Sequence, residues 1–236
     1  MTKSIQKQDE IFYAESLSKD IGQNWIIKSS PDEQNWPDLI VMADDETFGL
    51  EVRYYFKDEN STGSPLKKKE SQRQKLLKEL SNRYYEKRHN PIHLKISGQF
   101  SSQSIDQIFD TLLKVNGKEW EVIEKEIIIE NARTQLVIRF LPDSFQNYKR
   151  WIYRDDNIGW VRRISDVEIE NLAKLKSKKL DKYKQNVKKV SLLIVANRIK
   201  SSGRVQVENT MKINTYGFNK VYFYIYPLDA VIYECH

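Results

Sequence analysis

Apolar and polar positions alternate along this chain in segments that assign most of its elements one at a time. Residues 6 to 21 carry Ile11, Ala14, Leu17 and Ile21 at helical spacing and stop at Gly22, which predicts an amphipathic helix with a glycine C-cap. Trp25, Ile26 and Ile27 predict a short strand over 24 to 28. Two further strands follow, 39 to 42 and 48 to 56, separated by a turn short enough for a hairpin. After a polar linker, 57 to 65, a long basic helix is expected over 66 to 88, with Leu76, Leu77, Leu80 and Tyr84 as its apolar side. Asn90-Pro91 stops it, and a strand over 92 to 97 ends at Gly98.

The second half predicts a helix over 102 to 115 and a strand pair over 126 to 130 and 135 to 141. Residues 145 to 160 are aromatic and charged without a clear period. A second basic helix is expected over 167 to 185, then the most apolar strand of the chain, 190 to 196. A short helix near 207 to 213 and strands over 220 to 225 and 230 to 233 complete the prediction. The chain thus predicts an α/β fold with a mixed central sheet flanked by helices. It reads as a single domain over 1–236, with the core motifs in 1–100 and an α/β elaboration in 101–236.

Two carboxylates stand out in this pattern. Asp38 follows Pro37 at the start of one hairpin strand, and Glu51 lies in the other, in Gly49-Leu50-Glu51-Val52-Arg53. Side chains in a strand alternate between faces, so Glu51 and Arg53 share one face, while Leu50, Val52 and Tyr54 share the other. On adjacent strands Asp38 and Glu51 can converge on one hard cation. Each feature alone also fits a strand-start turn or the solvent face of an edge hairpin.

Composition narrows the partners. The 236 residues hold 39 Lys and Arg against 33 Asp and Glu, a net charge of +6, which favours a polyanionic partner without demanding one. The two basic helices concentrate that charge: Lys68, Arg73, Lys75 and Lys78 with Gln74 in the first, and Lys174, Lys178 and Lys182 in the second. Tyr54, Tyr55, Tyr84, Tyr85, Trp151 and Tyr153 are candidate stacking platforms for bases. Cys235 is the single cysteine, which excludes an internal disulfide framework and a cysteine-based zinc site, and His89, His93 and His236 form no ligand spacing. The polar N-terminus and the absence of a long apolar run predict a cytoplasmic protein without a membrane span.

The order helix, three strands, helix, strand over the first hundred residues, with Asp38 and Glu51-Val52-Arg53, resembles the restriction-endonuclease-like, or PD-(D/E)XK, nuclease superfamily. The resemblance implies a Mg²⁺- or Mn²⁺-dependent endonuclease acting on nucleic acid, DNA rather than RNA, in restriction, defence or repair. It implies Asp38, Glu51 and the Val52 carbonyl as metal ligands, Glu15 as the acidic residue of the first helix, and a homodimer where both strands of a duplex are cut. Arg53 departs from the family pattern, which has lysine there. An arginine cannot give up its proton, so it can orient a phosphate but not act as a base. The departure leaves open an electrostatic role for Arg53, a lysine reaching in from the next helix, with Lys75 first and Lys68 second, or a nuclease fold that binds nucleic acid or serves as a scaffold without cutting.

Overall fold

The computed structural model describes residues 3–31, 34–44, 46–59, 63–129, 131–154, 161–207 and 212–234. In chain order the elements are α1 (Lys3–Asp20), β1 (Trp25–Ser29), β2 (Leu39–Ala43), β3 (Glu46–Tyr54), α2 (Pro65–Lys87), β4 (Ile92–Gly98), α3 (Ile105–Lys114), β5 (Val122–Ile129), β6 (Ala132–Phe140) and β7 (Ile152–Arg154). There follow β8 (Arg162–Arg163), α4 (Asp166–Ser177), α5 (Leu180–Tyr183), β9 (Val190–Asn197), β10 (Val205–Gln206), β11 (Lys220–Tyr226) and β12 (Asp229–Glu234). The fold is mixed α/β, and no helix among the described residues is long and apolar enough to cross a membrane.

Where the sequence reads as one domain, the chain divides into two compact units: unit 1, residues 1–64 and 160–236, and unit 2, residues 65–159. Unit 1 is built on a six-stranded sheet in the order β1-β2-β3-β9-β11-β12. β1, β2 and β3 run antiparallel in succession, β3 and β9 are parallel, as are β9 and β11, and β12 closes the edge antiparallel. The strand beside β3 is therefore β9 and not the 92–97 segment, which the sequence order alone assigns to the core. β9 explains the difference: all of Val190 to Ala196 is buried, as a strand covered on both faces must be. One face packs under α1 through Tyr13, Ala14, Leu17, Leu50, Val52, Leu193 and Val195. The other packs under α4 and α5 through Ile169, Ala173, Leu180, Tyr183, Leu192 and Ile194.

The helix expected over 167 to 185 is interrupted. A capping box, in which the Ser165 hydroxyl accepts from the Glu168 N–H and the Glu168 carboxylate accepts from the Ser165 N–H, starts α4. α4 ends at Ser177, and α5 is a separate turn. The short helix expected near 207 to 213 falls largely on 208–211, outside the described residues, as do Cys235, His236 and the stretch 155–160.

Unit 2 is a four-stranded sheet in the order β5-β6-β4-β7 with α2 and α3 supplying its core. Ile92, Leu94, Ile96, Leu136, Ile138 and Phe140 pack against Leu77, Leu80, Tyr84, Ile108 and Leu112. Burial alternates from Ile92 to Ile96 in β4, with His93 and Lys95 turned away from that core, which among the described residues is the mark of a sheet whose core lies on one face.

Candidate metal centre

The site grows out of the β2–β3 hairpin. Leu39 pairs with Leu50, so continuing the register sets Asp38 opposite Glu51. Asp38 Oδ2 accepts from the Val52 N–H at 2.8 Å, which ties the carboxylate to β3. A strand turns a residue's N–H and carbonyl to the same edge, so the Val52 carbonyl faces that side as well. Pro37 fixes the approach: a Cβ built on Gly49 would lie 2.4 Å from the Pro37 ring, so only glycine lets the Pro37-Asp38 segment lie flat on β3.

Glu51 is buried, 1% exposed. Its Oε1 accepts from the Lys176 amine at 2.6 Å, and its Oε2 is buried with no hydrogen-bond partner. Burying a carboxylate is costly without a counter-charge, and Lys176 supplies one while leaving one oxygen unsatisfied. Lys176 arrives through the α4 stripe, one helical turn past the buried Ile169 and Ala173. Tyr183, buried on α5, lies against the same carboxylate; burial first, then the charge of Glu51 and a hydrogen bond to it, then the charge of Asp38, push its phenol far above its ordinary value. Asp38 is pushed up to about 7, by burial first and by the charge of Glu51 second, with Glu10 adding to the shift and the Val52 N–H and Lys176 opposing it.

The acidic residue that α1 contributes is Glu10 and not Glu15. Tyr13, Ala14 and Leu17 are the buried stripe, Glu10 falls in line with them at three, four and seven residues' spacing, and Glu15 lies on the solvent side. Glu10 is 4% exposed, accepts from the Gln6 amide at 3.1 Å, and is 3.6 Å from the Lys7 amine. Lys7 also donates to the Asp38 main-chain carbonyl, linking α1 to the start of β2.

Arg53 shares the Glu51 side of β3, as strand alternation predicts. Its Nη2 donates to Glu59 at 2.6 Å, and its Nε is buried without a partner. The lysine beside the carboxylates is Lys176 of α4. Lys75, Lys68, Gln74 and Lys78 lie on the exposed side of α2 in unit 2, and Arg73 on the same helix stacks over Tyr153 at 4.1 Å. Lys174, Lys178 and Lys182 are exposed in unit 1, with the Lys174 amine 6.0 Å from the Tyr216 ring centre. Of the candidate stacking residues, Tyr55, Tyr84, Tyr85 and Trp151 are buried in the two cores and offer no ring to a base.

Among the described residues no group of three or more His, Cys, Asp and Glu side chains is arranged to hold a metal ion. Asp38 and Glu51 nevertheless suit a hard cation that keeps most of its water: Mg²⁺ is commonly held by one or two carboxylates, with water and substrate phosphate filling the rest. The Glu51 Oε2, the Asp38 carboxyl and the adjacent Val52 carbonyl form such a partial set. No family model, curated protein or solved structure matches the chain.

Proposed function

We propose that this protein is a metal-dependent phosphodiester hydrolase acting on nucleic acid, with DNA the favoured substrate, and that unit 1 is a restriction-endonuclease-like core. The observation that carries the reading is the convergence of Asp38, Glu51 and Lys176, from β2, β3 and α4, around the buried Glu51 carboxylate. The strand directions support it: α1, three antiparallel strands, then α4 and the parallel β9 repeat the order helix, three strands, helix, strand, with unit 2 inserted after the third strand.

Asp38, Glu51 and the Val52 carbonyl would hold Mg²⁺ or Mn²⁺, which when bound neutralises phosphate charge and acidifies a water. Lys176 fills the place that Arg53 leaves open. Its ammonium can stabilise a phosphate, and it holds Glu51 in place meanwhile. Arg53, paired with Glu59, keeps its positive charge next to the carboxylates and does no proton transfer. Glu10 adds negative charge from α1, and Lys7 fixes the Asp38 main chain.

The test is cleavage of plasmid, single-stranded DNA and RNA with Mg²⁺ or Mn²⁺. Asp38→Ala, Glu51→Ala and Lys176→Ala should each lower the rate by at least ~100-fold, as loss of an electrostatic transition-state contact does. Undiminished cutting in Asp38→Ala and Glu51→Ala rules out the site. A second reading, a nuclease fold that binds without cutting, draws on the 2.6 Å Lys176–Glu51 pair, because a fixed ammonium can stand where a metal would. Tight binding with no turnover under any divalent ion decides for it.

A further inference from the structure

Positive charge is divided unequally between the two units. Unit 2 holds 18 Lys and Arg against 13 Asp and Glu, so it carries +5 of the chain's +6, although it is the smaller unit. Its sheet is covered by α2 and α3 on one face only. On the other, cross-strand pairing aligns Arg139 with His93, Lys95 with both Val137 and Ile152, and Ser97 with Arg154. Arg139, Lys95 and Arg154 therefore lie on successive diagonals across β6, β4 and β7.

We propose that this open face of unit 2 is a nucleic-acid-binding surface on which Arg139, Lys95 and Arg154 hold the phosphate backbone. It deepens the hydrolase reading by assigning substrate capture to a unit that contributes none of the carboxylates. Arg139 and Arg154 are exposed and Lys95 half-exposed. Among the described residues no side-chain hydrogen bond or ion pair engages any of the three. The acids of this face, Glu124 and Glu126, are confined to the edge strand β5, where they meet Gln135 at 3.4 Å and Arg133 at 3.7 Å. Unneutralised positive charge is felt locally: after burial, the charges of Arg139 and Lys95 hold His93 below its ordinary pKa. A sheet face bearing cations whose side chains lack partners, and few acids, suits a phosphate backbone, because each phosphate neutralised releases bound counterions.

The experiment is fluorescence anisotropy of a labelled oligonucleotide, double- or single-stranded, with the full chain in EDTA, so that binding is read without cleavage. Lys95→Gln/Arg139→Gln/Arg154→Gln should weaken binding about 100-fold at ~0.1 M salt and reduce the slope of log K against log[salt] by about 3. Glu124→Gln/Glu126→Gln should tighten binding about tenfold, a gain that misfolding cannot imitate. Cleavage of the same oligonucleotide by the parent with Mg²⁺ separates capture from the hydrolase reading; absence of cleavage with binding intact refutes only the latter. Binding of the triple variant within twofold of the parent overturns the proposal. So does equal affinity for a polyglutamate or heparin-like polyanion outcompeting DNA, or loss confined to Lys75→Gln/Lys78→Gln on α2.

Discussion

Replacing Lys176 with methionine keeps the length of the side chain and removes the amine from which Glu51 Oε1 accepts at 2.6 Å. At that separation and an effective dielectric of ~20, the attraction is ~6 kcal/mol before solvation is counted. Lys176 keeps 22% of its side chain exposed, so part of that attraction is offset by water it would regain, whereas Glu51 at 2% regains none. The expected net loss on Lys176→Met is ~3 kcal/mol, the lower end of what stranding one member of a buried pair costs. Glu51→Gln alone should cost less, ~1 kcal/mol, because Lys176 can swing outward. The double variant should then be more stable than the sum of the two single losses by ~2 kcal/mol. Urea unfolding followed by circular dichroism at pH 8 in EDTA measures all four corners. A coupling below ~0.5 kcal/mol with unchanged m-values refutes the claim that this pair holds the site together. If the pocket does accept a divalent cation, Mn²⁺ should raise the midpoint of Lys176→Met more than that of the parent, since the ion supplies the missing charge.

Asp38 gives a pH signature. Its folded carboxyl, at about 7, binds its proton more tightly than the unfolded one, so the associated stability is present at low pH and is lost as pH rises from ~4 to ~7. The full shift corresponds to ~4 kcal/mol and solvent access reduces it to ~2, so Asp38→Asn in EDTA should be the more stable protein at pH 8 by ~2 kcal/mol and equal at pH 4. Parallel pH profiles for the two proteins, measured by chemical denaturation, contradict this. Gly49→Ala pushes a methyl into the Pro37 ring and with it displaces Asp38; divalent-ion affinity by calorimetry should fall at least tenfold, and unchanged affinity would show that Pro37 yields freely. Glu10→Gln should lower the Asp38 pKa measured by NMR titration, whereas Glu15→Gln, on the exposed side of α1, should leave it unmoved.

The hairpin that holds Asp38 and Glu51 was legible because two apolar segments flank a short acidic turn, and a charged residue stands just before the first and within the second. The identity of β3's other neighbour was not. Periodicity announces a strand without naming its partner, and the 92–97 segment comes sooner in the chain than 190–197. The burial signature distinguishes them: His93 and Lys95 alternate with Ile92, Leu94 and Ile96, while Val190 to Ala196 carries no charge at all. Glu15 falls on the exposed side because the buried α1 stripe runs through Tyr13, whereas Ile11, which helical spacing aligns equally well with Ala14, is only half-buried. Lys176 sat among seven other lysines of the second basic cluster, and charge alone did not distinguish it. Its position in line with Ile169 and Ala173 did carry the signal.

Inserting unit 2 between β3 and α4 also orders events during synthesis. Glu51 and Lys176 are 125 residues apart, so at ~5–20 residues per second the carboxylate leaves the ribosome ~6–25 s before its counter-charge. Unit 2 is continuous in the chain and can be complete in that interval, while unit 1 still lacks β9, which lies beside β3 at the centre of its sheet, and β11 and β12 beyond it. The nascent chain thus carries a finished unit 2 while the six-stranded sheet is half built and its β3 edge open, and the Glu51–Lys176 pair is among the last contacts to form.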